Sequence, residues 1–145
     1  MMGTRERLAV GILRLLGAGF ALFGVLFAFA PEATLRTFNR WGEPLGFTTA
    51  PPPEGVGLWR VLTIAFMMIV TVLAFWGSVR TPAQRALLIV LIIGKATSSL
   101  TALAFYFWER PLFLYLLNFI VDGSIALLVG LCLAWLSWGA QERVR

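Results

Sequence analysis

The chain has 145 residues, 59% of them hydrophobic, well above the roughly 45–50% usual for soluble domains even with glycine counted. Such a composition implies an integral membrane protein of one domain, because four spans of about 20 residues each would use more than half the length. The formal charge of +5 is spread over the ends of apolar runs rather than gathered in a patch, which excludes nucleic acid as a partner.

Cysteine and histidine usage narrows the chemistry. Cys132 is the only cysteine, so neither an intramolecular disulfide nor a thiol redox pair can form, and its apolar surroundings mark it as core or lipid-facing filler. With no histidine, bis-histidine haem and histidine-ligated zinc or copper sites cannot be built from this chain alone, and no cofactor or metal is expected.

The first apolar run, residues 8–30, follows Arg5, Glu6 and Arg7 and carries one charge at Arg14. Ala28, Phe29 and Ala30 imitate a signal-peptidase site, but Pro31 would follow the cut directly, so the run is read as a transmembrane helix. Arg14 is close enough to one end to snorkel back toward the headgroups. Gly17, Ala21, Gly24 and Ala28 form a small-residue stripe on which another helix can pack closely.

Residues 31–41 open with a proline suited to a first helical turn and an early acid, Glu32. Leu35, Phe38 and Trp41 recur at threes with Arg36 and Arg40 on other faces, the pattern of a short amphipathic helix lying on the membrane surface. Residues 42–56 contain Pro44, Pro51, Pro52 and Pro53, and no regular element is expected there. The second span covers 57–77, with Arg60 at its entry and Trp59 and Trp76 as interfacial anchors. Met67 and Met68, at its middle, suit irregular space between helices better than a metal.

After a turn at Val79 to Gln84, the third and fourth spans cover 83–108 and 111–138, joined at Glu109 and Arg110, with Pro111 suited to a helix start. Trp135 and Trp138 mark the last interface before a polar tail. The expected fold is therefore all-α, a polytopic four-helix membrane bundle with one interfacial helix after the first span. Arg5, Arg7, Arg14, Arg80, Arg85, Arg143 and Arg145 would lie on one side, against Arg36, Arg40, Arg60 and Arg110 on the other. That excess places both termini in the cytoplasm and the proline-rich loop outside.

The candidate site lies in the last two spans, where Lys95 and Asp122 stand inside apolar runs. An unpaired charge at the bilayer centre costs about 2.5–3.5 kcal/mol on insertion scales, so each should face protein and seek a partner. At about 1.5 Å per residue, Lys95 lies roughly 20 Å below Trp108 and Asp122 roughly 17 Å below Pro111, so a tight hairpin brings them to the same depth. Ser98 and Ser99 follow Lys95 on its helix face, and Asn118 and Tyr115 precede Asp122 on its own, which extends a buried polar centre toward the hairpin.

These four apolar helices, the Phe29-Ala30-Pro31-Glu32 exit from the first and the polar residues within the last two resemble the DoxX-like group of small bacterial membrane proteins. The likeness covers most of the chain. It implies a four-helix membrane bundle in a bacterial inner membrane, with an auxiliary role in a membrane oxidoreductase system, and it transfers no catalytic motif residue by residue.

Three roles stay open. A non-catalytic subunit or ligand-binding scaffold needs only that Lys95 and Asp122 fix helix register, with the bilayer, a membrane protein or second copy of the chain, and a lipophilic ligand as partners. A proton-coupled transporter would use Asp122 as its exchanging carboxylate, although no internal repeat is visible to support alternating access. A quinone-linked redox subunit would use the pair as acid and base with Tyr106 or Tyr115 assisting, yet the chain has no HExxH, GxSxG or glycine-rich phosphate loop. The residues favour the scaffold over an enzyme.

Overall fold

In the computed structural model, the described residues are 3–50 and 56–141, with side chains at 56–59 and 138–141 outside the description. Trp59, Trp138, the loop residues Pro51 to Gly55, and the tail charges Glu142, Arg143 and Arg145 therefore lie outside the described side chains. Five α-helices follow one another: α1 Thr4–Phe29, α2 Pro31–Gly42, α3 Val56–Gly77, α4 Gln84–Trp108 and α5 Phe113–Gln141. Four of them, all but α2, are long and apolar enough to cross a membrane. The protein is an all-α membrane helical bundle.

The long helices form a closed ring in which α1 packs on α3 and α5, and α4 packs on the same two. Every neighbour is antiparallel, because α2 and the two turns each return the chain to the opposite face. One end of the bundle carries the start of α1, the end of α5 and the α3–α4 turn. The other carries α2 and the α4–α5 turn.

Local chemistry explains the boundaries. α1 starts at Thr4, a turn before the apolar run, because the Glu6 side chain accepts from the Gly3 N–H at 3.0 Å and a helix can begin on that cap. It ends before Pro31, which has no N–H to continue the ladder and disfavours helical dihedrals at Ala30, whose φ and ψ are −138° and 49°. Arg60 donates to the Ala28 carbonyl freed at that end. Pro31 then opens α2, as its fixed φ allows. Pro111, by contrast, is not the start of α5. The Leu112 N–H bonds the Arg110 carbonyl at 2.7 Å, a tight turn that places the first helical residue at Phe113.

α2 is a helix along its whole expected length, with Arg36, Arg40 and Trp41 exposed, Leu35 and Phe38 half-buried, and Thr34 and Gly42 buried. Trp41 packs edge-on against Phe38 at 5.5 Å between ring centroids. Gly42 lets α2 approach α5, since a Cβ there would sit 2.5 Å from that of Phe113. The expectation of no regular element after α2 fails at Glu43–Leu45, a 3₁₀ turn that Pro44 opens and Gly46 closes at φ 78°. Phe47 then packs at a tilt against Phe113 and Tyr106, and the Asn39 amide holds the backbone of Ala50 through two bonds of 3.0 and 2.9 Å. This tie folds the first part of the loop back over the hairpin tip.

Packing differs along the axis. Ala9, Leu13, Val70, Ala74, Leu88, Leu91, Val129, Cys132 and Leu136 form one buried cluster with Phe20, and all but Phe20 lie on the terminal side of Lys95 and Asp122. Cys132 is part of that core. Trp135, expected as an interfacial anchor, is half-buried and packs against the core, whereas Trp76 is exposed. On the stripe of α1, Gly17 meets Phe75 and Gly24 meets Met67, so α3 is the helix that packs there. Met67 fills that space while Met68 and Arg14 face outward.

Candidate functional site

Lys95 and Asp122 meet at the centre of the bundle. The Lys95 ammonium donates to Asp122 Oδ1 at 2.9 Å, and both side chains are almost wholly buried. The remaining ammonium protons face two rings: Nζ lies 4.7 Å from the Phe20 centroid and 5.3 Å from that of Phe66. Cation–π attraction is strongest where water is excluded, so α1 and α3 supply the part of the ammonium's environment that the carboxylate leaves uncovered. One side chain of α4 thereby touches one residue from each of the other three spans.

The hydroxyl of Ser99 donates to the Phe119 carbonyl at 2.8 Å. It reaches that backbone because the next α5 turn presents Gly123, where a Cβ would stand 3.0 Å from Ser99 Oγ. Beside it, the Asn118 amide donates to Ser98 Oγ at 3.2 Å and to the Ser98 carbonyl at 3.4 Å. These three residues bind α4 to α5 along one seam. None of them touches the charged pair through a direct hydrogen bond among those the described residues form.

Tyr115 belongs to the seam's outer end rather than to the centre. Its hydroxyl donates to Glu109 Oε2 at 3.1 Å and its ring packs on Phe105 at 5.8 Å. The amphipathic residues Leu35, Phe38, Trp41, Arg36 and Arg40 form a separate group on α2. Sequence reasoning did not reach Phe20, Phe66 or Gly123. The signal for Gly123 was its place beside Asp122, since a small residue next to a buried carboxylate marks close helix approach, but no periodicity identifies which of the chain's phenylalanines would face an ammonium.

A second ion pair closes the terminal end, where Arg80 Nη2 lies 2.8 Å from the buried Glu6. With the Gln84 amide on the Gly77 carbonyl at 2.9 Å, it clamps the α3–α4 turn to the start of α1. Among the described residues no three of Asp, Glu and Cys converge to hold a metal ion.

Chemically, the centre is an acid and a base neutralising one another with two aromatic faces beside them. No protein-family model, curated protein or solved structure matches the chain. The functional reading therefore stands on this geometry and on the residues themselves.

Proposed function

We propose that the protein is a non-catalytic membrane scaffold in which the Lys95–Asp122 pair sets the register of four helices around a small polar centre. The contact of Lys95 with α1, α3 and α5 together carries this reading. Lipid offers helices no hydrophobic reason to choose one another, so a buried charge with partners on only one arrangement of helices selects that arrangement. Ser99, Ser98 and Asn118 reinforce the same α4–α5 register. The DoxX-like resemblance extends the proposal to an auxiliary subunit of a membrane oxidoreductase system in a bacterial inner membrane. The arginine distribution supports cytoplasmic termini, with α2 and its loop external.

A double-mutant cycle tests the reading. Lys95→Met and Asp122→Leu each leave one charge unpaired, whereas the double variant leaves none, so the double should recover most of the stability that either single loses. Additive losses would show that the pair does not set the packing. Topology is tested separately by reporters, which should read cytoplasmic after residue 145 and near Arg80, and external between Thr48 and Pro53.

A further inference from the structure

The two ends of the bundle carry different balances of charge. Among the described residues, the α2 end has Arg36, Arg40, Arg60 and Arg110 against Glu32, Glu43 and Glu109, a nearly even match. The terminal end has Arg5, Arg7, Arg14, Arg80 and Arg85 against Glu6 alone. Glu6 is buried, accepts from the Gly3 N–H and is bonded to Arg80, so it is engaged on the inward face of α1. Arg7 and Arg14 stand on the outward face. They are seven residues apart, two turns and a rise of about 10.5 Å, with Gly11 between them and Ala18 beyond, and all four positions are exposed. Neither arginine side chain has an ion pair or hydrogen bond among the described residues.

Arg14 lies about 9 Å past Leu8, where the apolar run begins, and Leu15, Leu22 and Val25 are exposed beside and beyond it. A guanidinium at that depth on a lipid-facing surface must meet an anion or reach back to the headgroups. Helical side chains lean toward the N-terminus, so Arg14 covers the turn that contains Gly11. A Cβ at Gly11 would meet nothing within 4 Å, which makes that turn an open notch.

From these positions we infer that Arg7, Gly11 and Arg14 form a binding site for one anionic glycerophospholipid of the terminal-side leaflet. Arg14 takes the phosphate over Gly11 through the paired N–H donors that suit phosphate oxygens. Arg7 stands beside the headgroup, and an acyl chain runs along Leu15, Ala18, Leu22 and Val25. Charge decides which headgroup is preferred. A zwitterionic lipid brings its ammonium toward Arg7, a like charge, while the one described acid of this end, Glu6, faces inward. An uncharged glycerol headgroup leaves the phosphate's charge to the two guanidiniums. The site is remote from the Lys95–Asp122 pair and does not depend on it.

Native mass spectrometry of the detergent-solubilised protein, given equal amounts of dioleoyl phosphatidylglycerol and dioleoyl phosphatidylethanolamine, tests the site. The first lipid bound should be phosphatidylglycerol by at least about fivefold, the factor that one basic residue near an anionic headgroup supplies. Arg7→Gln and Arg14→Gln should each lower the preference by about that factor. Arg85→Gln, which removes an exposed arginine of the same end from α4, should leave it unchanged. Gly11→Leu keeps every charge and fills the notch without displacing a neighbour, and it should lower phosphatidylglycerol occupancy as far as Arg14→Gln does. All four changes are at exposed positions outside the buried core. Equal binding of the two lipids by the native chain, a readout that needs no variant, overturns the inference. So does a loss in Arg85→Gln as large as that in Arg14→Gln, because the attraction would then be diffuse, and so does full occupancy in Gly11→Leu.

Discussion

The terminal half and the α2 half of the bundle are made from the same four helices, yet different forces hold them. The terminal half is closed by interdigitated apolar side chains and one ion pair at its rim, Glu6 with Arg80. The α2 half has little buried apolar volume and relies on hydrogen bonds between α4 and α5, on the tilted ring contact of Phe47 with Phe113, and on α2 lying across the end. A small membrane protein can thus separate its stability from its polar chemistry along a single axis. Packing disturbs little that is polar at one end, and polar groups displace little that is packed at the other.

The boundary between the halves should be the most sensitive position. Asp122→Leu leaves the Lys95 ammonium without its carboxylate, with only ring faces as partners, and should lower stability by about 2.5–3.5 kcal/mol in denaturant titration of the micelle-embedded protein. A smaller loss than that of a surface pair would mean that lysine escapes toward water, and the sharp boundary between halves would dissolve.

Within the terminal half, Leu91→Ala removes a fully buried side chain and should cost about 2 kcal/mol or more through the cavity it leaves. Ser99→Ala, at a comparable burial just past the boundary, removes one hydrogen bond and little volume, so about 1 kcal/mol is expected. The comparison is broken if the two costs are equal. Equality would mean that packing, not polar bonding, also holds the α2 half.

Much of this architecture was legible from apolar runs and two misplaced charges. Span number, the α2 helix and the matched depth of Lys95 and Asp122 follow from rise per residue and from the cost of a charge in lipid. The partners from α1 and α3 were not legible, because Phe20 and Phe66 look like any other aromatic residue in an apolar run until the ring order of the helices is known. The same holds for Trp135, whose identity suggests an interface although its face of α5 meets the core. Nor could periodicity reveal the division into halves, since it depends on which stretches of α1 and α3 meet across the bundle. Asn39 shows a further limit: its bonds to Ala50 span eleven residues of loop, a distance at which no spacing rule applies.

At the terminal rim, Glu6→Gln keeps a neutral acceptor for the Gly3 N–H but loses the charge attraction to Arg80. That arginine is 47% exposed, so water screens the pair and about 0.5–1 kcal/mol is the expected loss, shrinking as salt is raised. A loss that does not respond to salt would place the contribution in the helix cap instead.

The smallest effect should come from the α2 end, at Asn39. Asn39→Ala deletes both bonds to Ala50 and leaves that backbone to find water, which an end already in contact with solvent allows. Global stability should change by less than about 0.5 kcal/mol, as for other surface changes remote from a core. The local effect is larger than the global one. Amide exchange at Ala50 should accelerate, because its N–H now donates to the side chain at 2.9 Å. Asn39→Asp separates the two bonds: the carboxylate still accepts from the Ala50 N–H, but it cannot donate to the Ala50 carbonyl, a bond of 3.0 Å in the native chain. Protection at Ala50 should therefore survive Asn39→Asp and vanish in Asn39→Ala. If instead either change lowers global stability by as much as Leu91→Ala, the α2 half is not held by separable polar ties, and the two ends of the bundle unfold as one unit.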